Sequence, residues 1–168
     1  MIGKRAFFST SNAISKMGKK TVLVSGGGTN LQALIDAEKR GELGNGKITL
    51  VIASKPGVYA LERAAKAGVK TAVVSKKECG SQEAFENRLK EVLTSHGIDL
   101  IVLAGFMTIL TEGFTGAYPK RIINVHPSLI PSFCGEGFYG LKVHEEALKY
   151  GVKVTGATVH FVNEIPDG

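Results

Sequence analysis

From Thr21 onward, short continuous apolar runs alternate with longer stretches of helical periodicity. Thr21–Ser25 (TVLVS) reads as a buried strand that runs straight into glycines. Leu31, Leu34 and Ile35 then recur at helical spacing up to the charged stop Glu38-Lys39-Arg40-Gly41. Ile48–Ser54 (ITLVIAS) is a second apolar strand, Tyr59–Ala67 a helix closed by Gly68, and Lys70–Val74 a third strand. Ser81 is placed to cap a helix running to about His96, with Glu83 and Glu86 toward the positive end of its dipole. Asp99–Gly105 (DLIVLAG) and Arg121–Val125 (RIINV) supply a fourth and a fifth strand. A helix is expected around Leu141–Tyr150, and Val152–Val162 (VKVTGATVHFV) alternates in the manner of a strand with one more exposed face.

Apolar runs without alternation belong to strands covered on both faces, as in parallel sheets. Strand, helix and strand in repetition imply right-handed crossovers. The expected fold is therefore α/β, a doubly wound, Rossmann-like three-layer α/β/α arrangement around a mostly parallel central sheet. Ligands of such sheets sit beyond the carboxyl ends of the strands. Three strand ends carry polar or unusual residues: Ser25–Asn30, Gly105–Leu110 and Asn124–Ser128. The stretch Pro127–Gly140 holds two prolines and three glycines, a long loop of the kind that covers a site.

Composition narrows the class. Hydrophobic residues make up 43% and charged residues 21% of the 168, which excludes a disordered chain. No apolar run approaches the ~20 residues a membrane helix needs. Cys79 and Cys134 are too few for a disulfide framework and lack metal-ligand spacing with any histidine, so no metal is expected. A reduced, cytoplasmic setting follows as the expectation. The net charge of +6 would suggest a nucleic-acid partner, but it is concentrated at one end. Lys4, Arg5, Lys16, Lys19 and Lys20 stand among the first 20 residues with no acid, whereas the rest holds 16 basic against 15 acidic groups. A nearly neutral body argues against nucleic acid. Residues 1–18 read as a leader outside the fold, whether a mitochondrial-type targeting segment, an appended leader or an upstream start before Met17. Residues 19–168 form the expected domain.

The chemistry concentrates at the strand ends. Gly26, Gly27, Gly28, Thr29 and Asn30 lie between a strand and a helix, where backbone N–H groups and the helix dipole make an anion cradle. A dinucleotide fingerprint would need glycine in place of Leu31 and an acid after the second strand, where Ser54-Lys55 stands; no P-loop lysine follows either. A single phosphate fits better than NAD, and a tight turn that binds nothing is the alternative. Asn124 and His126, spaced i and i+2, point to the same side of a strand. A carboxamide can stabilise an oxyanion and an imidazole can move a proton. Asp167 follows the next strand and can return to that histidine. Ser128 lacks the G-x-S-x-G context of a nucleophile. His96 fits a helix-end role, His144 lies on an amphipathic helix, and His160 either faces the site or packs. Gly105–Leu110 either lines a slot for a flat heterocycle or belongs to the core.

Val24–Leu31, Leu103–Met107, Asn124–Pro131 and Thr158–Val162 with Asp167-Gly168 occur in that order. Together, over about Lys20 to Gly168, they resemble the phosphoribosylglycinamide formyltransferase family. The Asn-x-His-Pro-Ser block is similar to that of folate-dependent formyltransferases in general, and the Thr29-Asn30 turn to the glycinamide ribonucleotide branch. The resemblance implies the formyltransferase fold and formyl transfer from 10-formyltetrahydrofolate to the amine of glycinamide ribonucleotide, in purine biosynthesis. It implies catalytic roles for Asn124, His126 and Asp167, and phosphate binding by Gly28, Thr29 and Asn30. It assigns folate contacts to Met107, Thr108, Ile109, Leu110, Asn163, Glu164, Ile165, Pro166 and Asp167, and no metal. Family members often carry arginine where Gln82 stands, placed to meet the folate tail. The loop Phe133–Leu141 is longer than in many relatives, and the family continues for some tens of residues past this Asp-Gly. A formyltetrahydrofolate hydrolase and an inactive ligand-binding fragment are the alternatives, and oligomeric state is not legible.

Overall fold

The computed structural model describes residues 18–163, 165 and 167. The expected leader therefore lies, up to residue 17, outside the described residues. The chain divides between Thr108 and Ile109 into two compact units.

In the first unit, strands β1 (Lys19–Val24), β2 (Lys47–Ala53), β3 (Lys70–Val73) and β4 (Leu100–Leu103) run parallel in the order β3-β2-β1-β4. Val22 sits opposite Val51 on one side and Val102 on the other. Consecutive residues of β1, β2 and β4 are buried, and successive side chains point to opposite faces. Both faces of the sheet are thus covered, as the unbroken apolar runs require. The edge strand β3 is more exposed. After β1 the chain winds outward through β2 to β3, then returns to place β4 on the other side of β1. The topological switch lies between β1 and β4, where the carboxyl ends of doubly wound sheets take their ligands.

Three longer helices supply the cover. Helix α1 (Thr29–Lys39) buries Leu31 and Ile35; α2 (Tyr59–Lys66) buries Ala60 and Ala64. A short turn of helix, α3 (Lys76–Cys79), precedes α4 (Gln82–Ser95), which buries Phe85, Leu89 and Leu93. Ser81 caps α4 as its position in the sequence suggests, its side chain accepting from the Ala84 N–H at 3.1 Å. His96 closes the same helix, with Nδ1 2.9 Å from the Val92 carbonyl. It has the expected helix-end role. Lys20 is only 5% exposed, and its ammonium fills the space beside Gly46. Burial pushes its pKa below the ordinary lysine value, opposed by the charges of Asp99 and Glu38.

The second unit holds α5 (Glu112–Thr115), β5 (Ile122–His126), α6 (Leu141–Tyr150) and β6 (Thr158–Phe161). Phe114, Ile122 and Val143 are fully buried. β5 and β6 pair antiparallel, with Asn124 opposite His160 and His126 opposite Thr158. The alternation over Val152–Val162 overstates β6, which covers only Thr158–Phe161. Its pairing with β5 runs from Thr158 opposite His126 to Phe161 opposite Ile123. Residues 152–157 have polar and apolar side chains in turn but no strand beside them in that pairing, and nearly all are exposed. The short α3 and α5 are too brief to leave a periodic signature. The parallel pairing of β1 to β4, with β6 antiparallel to β5, matches the expected α/β class with a mostly parallel sheet.

The burial of Lys20 makes stability depend on pH. The unfolded chain binds a proton that the folded chain releases earlier, so stability rises with pH between the lowered folded value and 10.5. Urea melts from about pH 7 to about pH 10 should show wild type gaining stability relative to Lys20→Met as pH rises. Parallel pH curves for the two proteins would refute this account.

Candidate active site

At the carboxyl end of β1, Ser25 joins the neighbouring strand ends. Its N–H donates to the Gly105 carbonyl at 3.1 Å, and its hydroxyl accepts from the Met107 N–H at 3.0 Å and from the Ser54 hydroxyl at 2.8 Å. The glycine turn then leads into α1. Gly28 adopts φ 73°, a left-handed conformation that a side chain disfavours. A Cβ there would come within 2.7 Å of the Ala60 Cβ, so α2 packs against the turn with no room to spare. The Ala60 N–H donates to the Gly26 carbonyl at 3.2 Å. Arg63 donates through Nε to the Gly27 carbonyl at 2.9 Å and through a terminal nitrogen to Gln32 Oε1 at 3.1 Å, with its guanidinium 4.8 Å from the Tyr59 ring.

No side chain caps the first turn of α1, and Thr29 and Asn30 are exposed. The N–H groups at that end, together with the dipole, favour an anion. Arg63 is the residue that sequence reasoning missed here. It lies one strand and most of two helices beyond the turn, and its only local signal is a basic position on a helix.

In the second unit, the β5–β6 register collects the chemistry on one face. Asn124 and His126 share a side by their spacing, and His160 is the direct cross-strand partner of Asn124. His160 therefore faces the site. The Phe161 carbonyl meets its Nδ1 at 3.2 Å, which leaves Nε2 to accept from Asn124 Nδ2 at 3.3 Å. The second N–H of the Asn124 amide remains for another acceptor.

His126 is 3% exposed. Its Nδ1 lies 3.3 Å from Asp167 Oδ2, and Asp167 Oδ1 lies 3.6 Å from His160 Nε2. The Gly135 N–H donates to Asp167 Oδ2 at 2.9 Å. The carboxylate thus lies within ion-pair distance of two imidazoles, and the long loop ties it down. The other nitrogen of His126 is 2.8 Å from the Phe133 carbonyl. Ser128 is fully buried, with its hydroxyl donated to the Ser132 carbonyl, which accounts for it without a nucleophilic role. Neither the Phe133 carbonyl nor the Gly135 N–H had a signal in the sequence, since both are backbone groups of a loop.

The remaining expected site residues are more scattered. Met107 and Ile109 are 49% and 62% exposed, whereas Leu110 is buried at 5%, so any ligand contact it makes is through its backbone. Thr108 is half-buried, and Ile165 and Asn163 are exposed, the Asn163 side chain accepting from the Ile165 N–H at 2.9 Å. Glu164 and Pro166 lie outside the described residues. Gln82 opens α4 and donates to Glu86 at 2.6 Å. His144 is exposed on α6. Among the described residues no group of three or more His, Cys, Asp or Glu side chains is arranged to hold a metal ion. No helix among them is long and apolar enough to cross a membrane.

A histidine beside a carboxylate and a carboxamide can move a proton and donate to an oxyanion. A family profile described as formyl transferase matches residues 19–168. The chain belongs to the formyl transferase family. It is 42% identical over 152 residues to phosphoribosylglycinamide formyltransferase of Haemophilus influenzae, covering 90% of this chain and 69% of that protein. It is 43% identical over 157 residues to the trifunctional purine biosynthetic protein adenosine-3 of Drosophila melanogaster, covering 92% of this chain but 11% of that one. The chain thus spans about a tenth of the length of that trifunctional relative. The crystal structure of glycinamide ribonucleotide transformylase 1 from Symbiobacterium toebii superposes with a TM-score of 0.82 at 42% identity, over 90% of this chain and 68% of that one. The α/β formyltransferase fold is shared with it.

The close approach at the glycine turn makes Gly28→Ala a sharp test. Left-handed backbone strain of about 1–2 kcal/mol adds to an overpacking cost of about 1–3 kcal/mol. Urea denaturation should register a loss of about 2–5 kcal/mol. A change within about 0.5 kcal/mol, the size of a neutral surface substitution, would contradict the packing of α2 on the turn.

Proposed function

We propose that this formyl transferase moves the formyl group of 10-formyltetrahydrofolate to the amine of glycinamide ribonucleotide, a step of purine biosynthesis. The observation that carries the reading is the buried His126 held 3.3 Å from Asp167, on the strand face that also presents Asn124. The relatives named for this transfer at about 40% identity support it.

Asn124 donates its free N–H to the oxygen that becomes negative as the substrate amine attacks the formyl carbon. His126 stabilises the same charge and handles the proton, and Asp167 orients the ring and holds it charged when protonated. The C–N bond to the amine forms, the bond to the folate N10 breaks, one proton leaves the amine and one ends on N10. No covalent enzyme intermediate is needed. Gly28, Thr29 and Asn30 bind the ribonucleotide phosphate through the α1 N-terminus. Met107, Ile109, Asn163 and Ile165 have exposed groups for the folate, and Leu110 offers its backbone. A metal has no assigned role in this scheme.

Turnover of 10-formyltetrahydrofolate with and without glycinamide ribonucleotide tests the reading. Consumption should require the ribonucleotide. Asn124→Ala should lower kcat by about 100- to 1,000-fold, the usual cost of one oxyanion donor. His126→Ala and Asp167→Asn should be at least as damaging, with the fold retained by circular dichroism. Consumption that ignores the ribonucleotide but needs His126 would make the protein a hydrolase. Absence of turnover in both tubes would overturn activity for the 168-residue chain.

A further inference from the structure

We propose that Ser128 is a positioning residue for His126. It holds the Phe133 carbonyl against Nε2, which fixes the ring tautomer and leaves Nδ1 as the nitrogen that exchanges a proton; this last step rests on the formyl transfer proposed above.

The chain of contacts begins in the β5–β6 register. Thr158 stands opposite His126, and its hydroxyl donates to the Ser128 carbonyl at 2.8 Å while accepting from the Ile130 N–H at 3.0 Å. Ser128, fully buried just past the end of β5, donates its hydroxyl to the Ser132 carbonyl and lies 3.4 Å from that of Phe133. The peptide plane that enters Phe133 is therefore set by the serine. Phe133 has φ 51°, and its ring is anchored edge-on against Phe138 and Tyr150 at 6.3 and 5.9 Å. The result is the 2.8 Å contact on His126 Nε2.

A carbonyl oxygen can only accept, so Nε2 must carry a hydrogen. In the neutral ring Nδ1 then presents a lone pair to Asp167 Oδ2 at 3.3 Å, two acceptors face to face. A proton arriving at Nδ1 is shared by ring and carboxylate, while the Nε2 hydrogen stays on the loop carbonyl. The proton released by the attacking amine is received at Nδ1 and the one required by the departing N10 is given from it, with no net change in the ring. If the loop let go, the Nδ1–H tautomer would bond Asp167 directly, and the nitrogen needed as acceptor would already be protonated. This is how Ser128 acts on the reaction without touching substrate.

The test combines nitrogen NMR and kinetics on the full 168-residue chain. Long-range ¹H–¹⁵N spectra of the neutral ring should show His126 of wild type as the Nε2–H tautomer alone. Ser128→Ala should give a mixture with Nδ1–H and a kcat lowered about tenfold at unchanged KM, the signature of a lost transition-state effect. Phe133→Gly, which removes the ring anchor from the loop, should give the same mixture if the serine variant does not fold. An Nδ1–H tautomer in wild type overturns the proposal, as does a pure Nε2–H ring or a wild-type kcat in the folded variants. Absent wild-type turnover would count against the formyl-transfer reading alone, because the spectra decide the tautomer without substrate.

Discussion

The antiparallel register of β5 on β6 is the constraint from which the chemistry of the second unit follows. Directly opposed residues of an antiparallel pair share a face, so the pairing of Asn124 with His160 and of His126 with Thr158 puts all four side chains on one side. A slip of one residue would turn Asn124 and His126 to the other face and separate them from Asp167. Thr158 also shows why the register matters beyond the strands. As the partner of His126, it pins Ser128 and Ile130, and the loop so pinned returns to His126 from the other side.

The His126 imidazole is thereby contacted at both nitrogens, by a carboxylate at one and by a main-chain carbonyl at the other. A buried ring with a contact at each nitrogen is fixed in orientation. That is the preorganisation acid–base catalysis needs, since reorientation during the reaction would add to the barrier. His160 plays the parallel part for Asn124: its Nε2 takes one amide hydrogen and sets which way the carboxamide faces.

The first unit answers a different requirement. A parallel sheet needs long crossovers, and its buried strands leave function to the turns at their carboxyl ends. At the switch between β1 and β4, Ser25 bridges to Ser54, Gly105 and Met107, so that the ends of three strands are tied together. Gly28 meets Ala60 with no space for a methyl group, and Arg63 holds the preceding carbonyl. The turn is rigid without side-chain caps, leaving its N–H groups toward solvent.

The sequence alone determined the order of the strands and longer helices and the approximate place of each. Burial imposes continuous apolar runs on covered strands and spaced ones on helices, and the Ser81 cap marks a helix start by a contact three residues away. That Asn124 and His126 share a face was legible because a spacing of two fixes it, and Asp167 joined them through the resemblance. Tertiary structure alone decided where β6 begins, because the alternation over 152–162 carries no record of which residues find a partner strand. It alone decided the setting of His160, Arg63, Ser128 and the Phe133 carbonyl. Those contacts join residues by backbone groups or across many positions, and backbone groups are the same in every residue, so no pattern of side chains can announce them.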